Sequence, residues 1–205
     1  DYPLLTTANV ARSWFLLGVE STRVPIVLAG LFAVCALGTL SSALALLRGP
    51  SSAALAGLAL LGAPWFPFFA GTQNAAIPLA AYYLAAAVLL AFHARTQQPR
   101  FLGLAGLAVG LAAWTKNEGL LFLVVVSALL VWTQRRRFRQ SLMPYAAGLL
   151  IPLVTLLTFK LALAPPNDIL AGLEVAALIQ KVLDPARYAA IGRFFGALFL
   201  HLGEW

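Results

Sequence analysis

The sequence predicts an all-α fold, a polytopic transmembrane helix bundle of about six spans, with amphipathic juxtamembrane helices on the non-cytoplasmic side. Hydrophobic residues make up 61% of the 205 positions, charged residues make up 10%, and the mean hydropathy is +0.88. A soluble domain is about 45–50% apolar and about 25% charged. The apolar residues are also grouped in runs near the roughly 20 residues that a helix needs to cross a bilayer. These observations together predict an integral membrane protein.

Six apolar runs are candidate spans, and short polar or glycine-containing segments separate them. The run from 102 to 133 is interrupted by the charged residues Lys116 and Glu118. As one helix it would measure about 48 Å, well beyond the roughly 30 Å hydrocarbon core. We therefore expect two short spans that form a hairpin with Lys116 and Glu118 at its tip. The six runs are 24–47, 53–70, 77–94, 102–114, 119–133 and 142–163.

The distribution of charge supports the hairpin and predicts its orientation. With a hairpin, one side of the membrane carries seven basic residues and no acid, whereas all seven acids lie on the other side. Because basic loops favour the cytoplasm, the acid-bearing side is expected to be the outer side. The predicted location is the bacterial inner (plasma) membrane, with the active face periplasmic or extracellular. The basic side carries Arg48, Arg95, Arg100, Arg135, Arg136, Arg137 and Arg139.

The chain is expected to be an internal piece of one longer transmembrane domain, because it begins with Asp1 and ends beside an apolar stretch. Residues 1–23 are predicted to form an outer juxtamembrane segment, 24–163 the bundle, and 164–205 an outer amphipathic segment that leads to a further span. In the last segment, polar residues recur every seven positions, as on one face of a surface helix. They are Asn167, Glu174 and Lys181.

Several function classes do not fit this composition. The net charge is +7 and the pI is about 10.2, but the arginines form no basic face with interleaved aromatics, so a nucleic-acid partner is not expected. Cys35 is the only cysteine, which excludes an internal disulfide and a paired-cysteine site. The partners expected are membrane lipids.

The segment Lys116-Asn117-Glu118 is the first candidate site. An ionisable pair inside or at the edge of a membrane is costly, and such pairs commonly mark a functional site. The alternative interpretation is a solvated turn in which Lys116 extends its ammonium group to the interface.

Three short segments resemble one family. They are Asp1-Tyr-Pro-Leu-Leu, then Thr72-Gln-Asn-Ala-Ala-Ile-Pro-Leu-Ala, then Gly110-Leu-Ala-Ala-Trp-Thr-Lys-Asn-Glu-Gly119. In this order they resemble polyprenyl-phosphate-sugar-dependent glycosyltransferases of the GT-C type, such as the protein O-mannosyltransferases and the lipid A aminoarabinose transferases. The resemblance implies transfer of a sugar from a polyprenyl-phosphate donor to a lipid, glycan or protein acceptor, with inversion and without a glycosyl-enzyme intermediate.

The resemblance also implies roles for individual residues. Lys116, Asn117 and Glu118 match the turn that lines the sugar or phosphate pocket. Asp1 matches an acid near the metal or donor phosphate, and Tyr2 stands where a lysine is common. Ala76 occupies a position where relatives carry an acid.

The remaining candidate site residues lie near the two ends of the chain. Arg187 and Arg193 are weaker candidates for the donor phosphate, and interfacial anchoring to lipid is the alternative for both. A divalent cation (Mg²⁺, Mn²⁺ or Zn²⁺) is the one cofactor that the resemblance raises, with Asp1 and His201 as candidate ligands, although nothing in the sequence requires it. The catalytic base is expected before Asp1, so this piece alone is expected to be inactive.

Two other function classes stay open from the sequence. A transporter or lipid flippase also uses short paired spans with charges at their junction. A non-catalytic paralogue would account for Ala76 directly.

Overall fold

The computed structural model describes residues 5–72, 74–134, 138–164, 180 and 183–200, and these residues form helices without a strand. The predicted all-α class is therefore confirmed. A break or a tight turn separates each helix from the next through residue 134. The helices are α1 (Leu5–Leu17), α2 (Arg23–Arg48), α3 (Pro50–Gly62), α4 (Trp65–Gly71), α5 (Ala76–Thr96), α6 (Pro99–Thr115), α7 (Asn117–Gln134), α8 (Phe138–Thr158), a π-helical turn (Phe159–Leu163) and α9 (Pro185–Leu200).

Two hydrogen bonds bring the basic connections to one end of the bundle. The Arg95 guanidinium donates from Nη2 to the carbonyl oxygen of Leu47 over 3.2 Å, which joins the end of α5 to the end of α2. In the connection to α6, His93 Nδ1 lies 3.0 Å from the carbonyl oxygen of Gln98. Arg48, Arg95 and Arg100 therefore share one end, as their charge pattern predicts. The amino end of α5, the break between α6 and α7, and the carboxyl end of α8 lie at the opposite end.

Helix α6 is the centre of the bundle, packed between α5, α7 and α8. Nine of its 17 residues are buried, and most of them are alanine or glycine. A Cβ at Gly106 would collide with the backbone of Tyr145, and a Cβ at Gly110 would lie 2.7 Å from Cβ of Pro152. Small residues let helix backbones approach closely where lipid supplies no hydrophobic drive between helices. Gly106 and Gly110 therefore allow the close packing of α6 against α8.

Four helices of the described residues are long and apolar enough to cross a membrane: α2, α5, α7 and the helix from Gln140 to Leu163. The predicted run 53–70 differs from a straight span, because α3 and α4 meet at an angle of 66°. Pro64 causes the break, since a proline disfavours the helical conformation of the residue before it. Ala63 accordingly has an extended ψ of 115°. If α3 and α4 cross the membrane as one bent unit, they form a fifth span. Helix α6 is also apolar, but with 17 residues it is shorter than the other candidate spans.

The described residues 180 and 183–200 belong to a second compact unit. Its described helix is α9, which starts at Pro185 directly after Asp184. The Asp184 carboxylate accepts a hydrogen bond from the Ala186 N–H over 2.9 Å, which satisfies one of the free amides of the first turn. The helix predicted to carry Asn167, Glu174 and Lys181 lies outside the described residues.

Candidate functional site

The break between α6 and α7 is a single extended residue. Lys116 has φ −157° and ψ 155°, and its N–H donates to the Ala112 carbonyl over 3.3 Å. The Gly119 N–H donates to the Lys116 carbonyl over 2.9 Å, so the backbone groups of the turn are paired on both sides. A side chain at Gly119 would collide with the Ala112 carbonyl, which shows how closely the two helices approach. The structure therefore has two helices joined by a turn at Lys116, as the predicted hairpin requires, and the crossing of the membrane by both helices stays a prediction.

Lys116 and Glu118 form an ion pair at the tip of this hairpin. The distance from Lys116 Nζ to Glu118 Oε1 is 3.0 Å. The Lys116 side chain is 32% exposed and the Glu118 side chain is 57% exposed, so both groups remain accessible to a ligand. Glu118 lies in the first turn of α7, where the helix dipole favours a negative charge. The ion pair therefore fixes Lys116 at the end of the bundle without burying its charge.

A second lysine, which the sequence interpretation did not single out, joins this cluster. Lys160 Nζ donates to the Asn117 side-chain oxygen over 3.3 Å. Lys160 lies in the π-helical turn that ends the apolar helix Gln140–Leu163, and such wide turns are frequent at functional sites. The sequence does carry a signal, because Lys160 is a charge at the end of an apolar run, the same criterion that selects Lys116.

A cavity of about 400 Å³ lies between α1, the end of α6 and the end of α8. Two of its walls are the aromatic residues Trp114 and Phe159, which directly precede Thr115 and Lys160 in sequence. The other lining residues are small, aliphatic or hydroxyl-bearing: Ala8, Val154, Thr155, Thr158 and Leu163. Among the described residues that line it, none is ionisable, so this part of the cavity suits an apolar or neutral group next to the charged cluster.

The family model for dolichyl-phosphate-mannose-protein mannosyltransferases matches residues 1–160, more than three quarters of the chain. The chain belongs to this family. No curated protein and no solved structure matches it. Membership in the mannosyltransferase family makes it a membrane glycosyltransferase chain of the GT-C type, and the family implies a lipid-linked sugar donor and an acceptor in a membrane. The resemblance drawn from the three short segments is confirmed.

The position at which the resemblance predicts an acid, Ala76, lies at the start of α5. Ala76 is the first residue of that helix, and its N–H donates to the Asn74 side-chain oxygen over 2.7 Å. The Asn74 amide in turn donates to the Thr72 hydroxyl over 3.2 Å. The loop is therefore ordered by neutral side chains. Helix α5 also reaches the hairpin, because the Tyr83 ring lies 4.1 Å from the Phe122 ring, one turn beyond Glu118 on α7.

The described residues do not assemble a metal-binding set. Among these residues, there is no group of three His, Cys, Asp or Glu side chains close enough to hold one metal ion. Glu118 is paired with Lys116. The predicted ligands Asp1 and His201 lie outside the described residues, as does Tyr2. A metal requirement stays a prediction.

Arg187 and Arg193 are both exposed residues of α9. Six residues along an α-helix correspond to a rotation of about 240°, so the two side chains point to different faces and form no joint patch. Helix α9 and Lys116 belong to different compact units. A common site of the two arginines with Lys116 therefore stays a prediction.

Proposed function

We propose that the intact enzyme transfers a sugar from a polyprenyl phosphate to a hydroxyl group of a lipid, glycan or protein acceptor at the outer face of the bacterial inner membrane. The supporting observation is the charged hairpin tip beside an apolar cavity. Lys116 offers a cation for the donor phosphate, and the cavity next to Trp114 offers an uncharged space for the first isoprene units. A lipid phosphate needs these two environments side by side.

In the proposed reaction, the acceptor oxygen attacks the anomeric carbon from the side opposite the phosphate. The bond between the acceptor oxygen and that carbon forms while the bond from the carbon to the phosphate oxygen breaks. The electron pair stays on the phosphate oxygen, and the acceptor proton goes to a carboxylate base, which the resemblance places before Asp1. The anomeric centre is inverted.

Lys116 stabilises the charge that develops on the leaving phosphate. A fixed cation at that position lowers the barrier because the interaction strengthens as the bond breaks. Glu118 holds Lys116 in place before the donor arrives, over the 3.0 Å ion pair. Asn117 lies between the two charged residues in sequence and contributes a neutral amide to the same surface.

The test is sugar transfer by the intact enzyme in membranes or micelles, with a polyprenyl-phosphate sugar as donor. Lys116→Gln is expected to lower kcat about 100- to 1,000-fold, the size of loss that follows removal of one donor that stabilises a developing negative charge. Lys116→Arg should retain part of the rate because the charge is kept. Arg23→Gln, which removes an exposed cation at the start of α2, serves as the matched control and should leave kcat within about two-fold.

Two results would contradict the proposal. Transfer by Lys116→Gln at the wild-type rate would remove Lys116 from the site. A folded wild-type enzyme that uses no polyprenyl-phosphate sugar would favour the non-catalytic paralogue instead.

A further inference from the structure

A second cavity, with a volume of about 340 Å³, lies between α1, the first half of α2 and the start of α5. On α1 its lining residues run from Thr6 to Trp14, and the face they share is turned about 130° from Ala8, which lines the cavity next to Trp114. Helix α1 therefore separates two cavities at the same end of the bundle. The volume of the second cavity falls in the range of small-molecule sites, about 300–1,000 Å³.

The lining of the second cavity changes from polar to apolar along α2. Thr22, just before the helix, is exposed, whereas Ala29, two turns later, is buried. Phe32 is the lining residue furthest along α2, and its ring packs edge-on against Tyr82 of α5, with the centroids 5.6 Å apart. From Thr22 to Phe32 the helix rises about 15 Å, half of the roughly 30 Å hydrocarbon core. The cavity is therefore about as deep as one lipid leaflet.

The polar groups of this lining are hydroxyls and one amide. Thr22 occupies the N-cap position of α2, but its hydroxyl makes no capping hydrogen bond. The Asn74 side-chain oxygen accepts a hydrogen bond from the Ala76 N–H, which fixes the amide at the rim. Among the described residues that line the cavity, none is ionisable. A phosphate or a carboxylate bound here would lack a compensating cation, so the cavity suits an uncharged head and a hydrocarbon chain.

We propose that the second cavity binds the sugar acceptor and that this acceptor is a lipid with an uncharged, hydroxyl-bearing head. This inference rests on the proposed function. The hydrocarbon chain lies along α2 as far as Phe32, and the hydroxyl lies at the rim near Thr22 and Asn74. In the transfer step, this hydroxyl oxygen forms the bond to the anomeric carbon and its proton goes to the carboxylate base. The bond from that carbon to the phosphate oxygen breaks, and its electron pair stays on the phosphate.

The difference in charge between the two cavities allows the enzyme to distinguish two lipids. The cavity next to Trp114 adjoins the ion pair of Lys116 and Glu118, which offers a cation to a lipid phosphate. The second cavity offers no cation, so it disfavours the phosphate-bearing donor and accepts a neutral lipid. A polypeptide acceptor fits less well, because the apolar lining beyond Thr22 cannot pair the backbone amides of a peptide.

Binding is tested by photo-crosslinking of the intact enzyme in micelles. The probes are a long-chain alcohol with a diazirine in its chain and the fatty acid of the same chain length, at a pH where its carboxyl group is ionised. The alcohol should label residues that line the cavity, such as Leu28 and Phe32, and the fatty acid should label them about ten-fold less. Equal labelling by both probes would overturn the proposal. So would labelling that is spread over exposed positions of α2 such as Val27 and Leu31.

The acceptor role is tested by sugar transfer to a membrane lipid extract and to a peptide that contains serine and threonine. The sugar should appear in the lipid. Ala29→Leu adds three carbon atoms inside the cavity and should raise the acceptor KM roughly 10- to 100-fold, because it displaces about three methylene groups of the ligand. Val27→Phe adds bulk at an exposed position of the same helix and serves as the control. It should leave the acceptor KM within about two-fold of wild type.

Thr22→Val is a second variant that preserves the shape of an exposed side chain and should not affect folding. Loss of one neutral hydrogen bond to the acceptor should raise the acceptor KM about two- to ten-fold while the donor KM stays unchanged. Transfer to the peptide alone would overturn the proposal, as would an unchanged acceptor KM in both Ala29→Leu and Thr22→Val. Competition between a polyprenyl phosphate and the diazirine alcohol for the same residues would also overturn it, because the second cavity would then belong to the donor.

The failure of this inference is distinguishable from the failure of the proposed function. An enzyme that uses a polyprenyl-phosphate sugar and loses activity in Lys116→Gln, but keeps its acceptor KM in Ala29→Leu, would refute the lipid acceptor alone. An enzyme that uses no polyprenyl-phosphate sugar would overturn the proposed function and the acceptor role with it, and crosslinking would still show whether the cavity binds a neutral lipid.

Discussion

Gly119→Ala is expected to weaken both the fold and the site, because Gly119 is the point where α6 and α7 approach most closely. A Cβ at this position would collide with the Ala112 carbonyl and lie 2.7 Å from the Ala113 nitrogen. An ordinary contact of this kind is about 3.4 Å, so relief of the Ala113 contact alone would move the start of α7 by about 0.7 Å, and relief of the collision with the Ala112 carbonyl would need a larger movement. All of the obstructing atoms are backbone atoms, so no rotamer change relieves the collision.

The magnitude follows from the two contacts that depend on this position. Overpacking of this kind costs about 1–3 kcal/mol of stability. A movement of about 0.7 Å or more is enough to lengthen the 3.3 Å Lys160–Asn117 contact beyond hydrogen-bond distance. It also disturbs the 3.0 Å Lys116–Glu118 ion pair. Misplacement of catalytic groups by about 1 Å can cost on the order of 100-fold in rate. We expect a loss of about 10- to 100-fold in kcat together with lower thermal stability.

The assay compares thermal melting and sugar transfer of the intact enzyme in micelles for Gly119→Ala and Gly38→Ala. Gly38 is a suitable control because it also lies in an apolar helix, and a Cβ there would meet no atom within 4 Å. Gly38→Ala should be neutral or slightly stabilising, since alanine is the better helix former. If the two variants melt at the same temperature and transfer sugar at the same rate, the close approach of α6 and α7 is not as described.

Two further predictions concern positions away from the hairpin tip. Gly148→Ala should lower the free energy of unfolding by about 1–3 kcal/mol in a thermal or denaturant melt, because the added Cβ would collide with the backbone of Gly103 on α6. Gly103→Ala is the matched control and should cost less, since a Cβ there would lie at an ordinary 3.5 Å from the Pro144 carbonyl. Ala76→Asp should create or strengthen a dependence of sugar transfer on divalent cations, measured by titration with EDTA and Mg²⁺ or Mn²⁺, and an unchanged response would indicate a metal-independent variant.

Helix positions were largely predictable from the sequence, and the reason is hydropathy. The runs 24–47 and 77–94 correspond to α2 and α5 within a few residues, because an apolar helix ends where polar or charged residues begin. The hairpin of α6 and α7 was predictable from its length and from the charge at Lys116. The bend between α3 and α4 was missed, although Pro64 is a signal for it, because the hydropathy of 53–70 continues across the break.

The composition of the site was predictable only in part. Lys116, Asn117 and Glu118 are consecutive, so their proximity follows from the sequence. Lys160 lies 43 residues from Asn117, and its arrival at the same helix end depends on the packing of α8 against α6 through Gly106, Gly110 and Gly148. A sequence pattern indicates that such small residues favour close packing, but it does not show which residues they bring together at the helix ends.

The central claim is that the break between α6 and α7 faces the outer solution, where a lipid-linked donor is bound. The most direct measurement is labelling of Asn117→Cys in a Cys35→Ala background with a membrane-impermeant thiol reagent, applied to intact cells and to inverted vesicles. The account predicts labelling from outside in intact cells. Labelling only from the cytoplasmic side in inverted vesicles would contradict the orientation, and with it the proposed outer-face transfer.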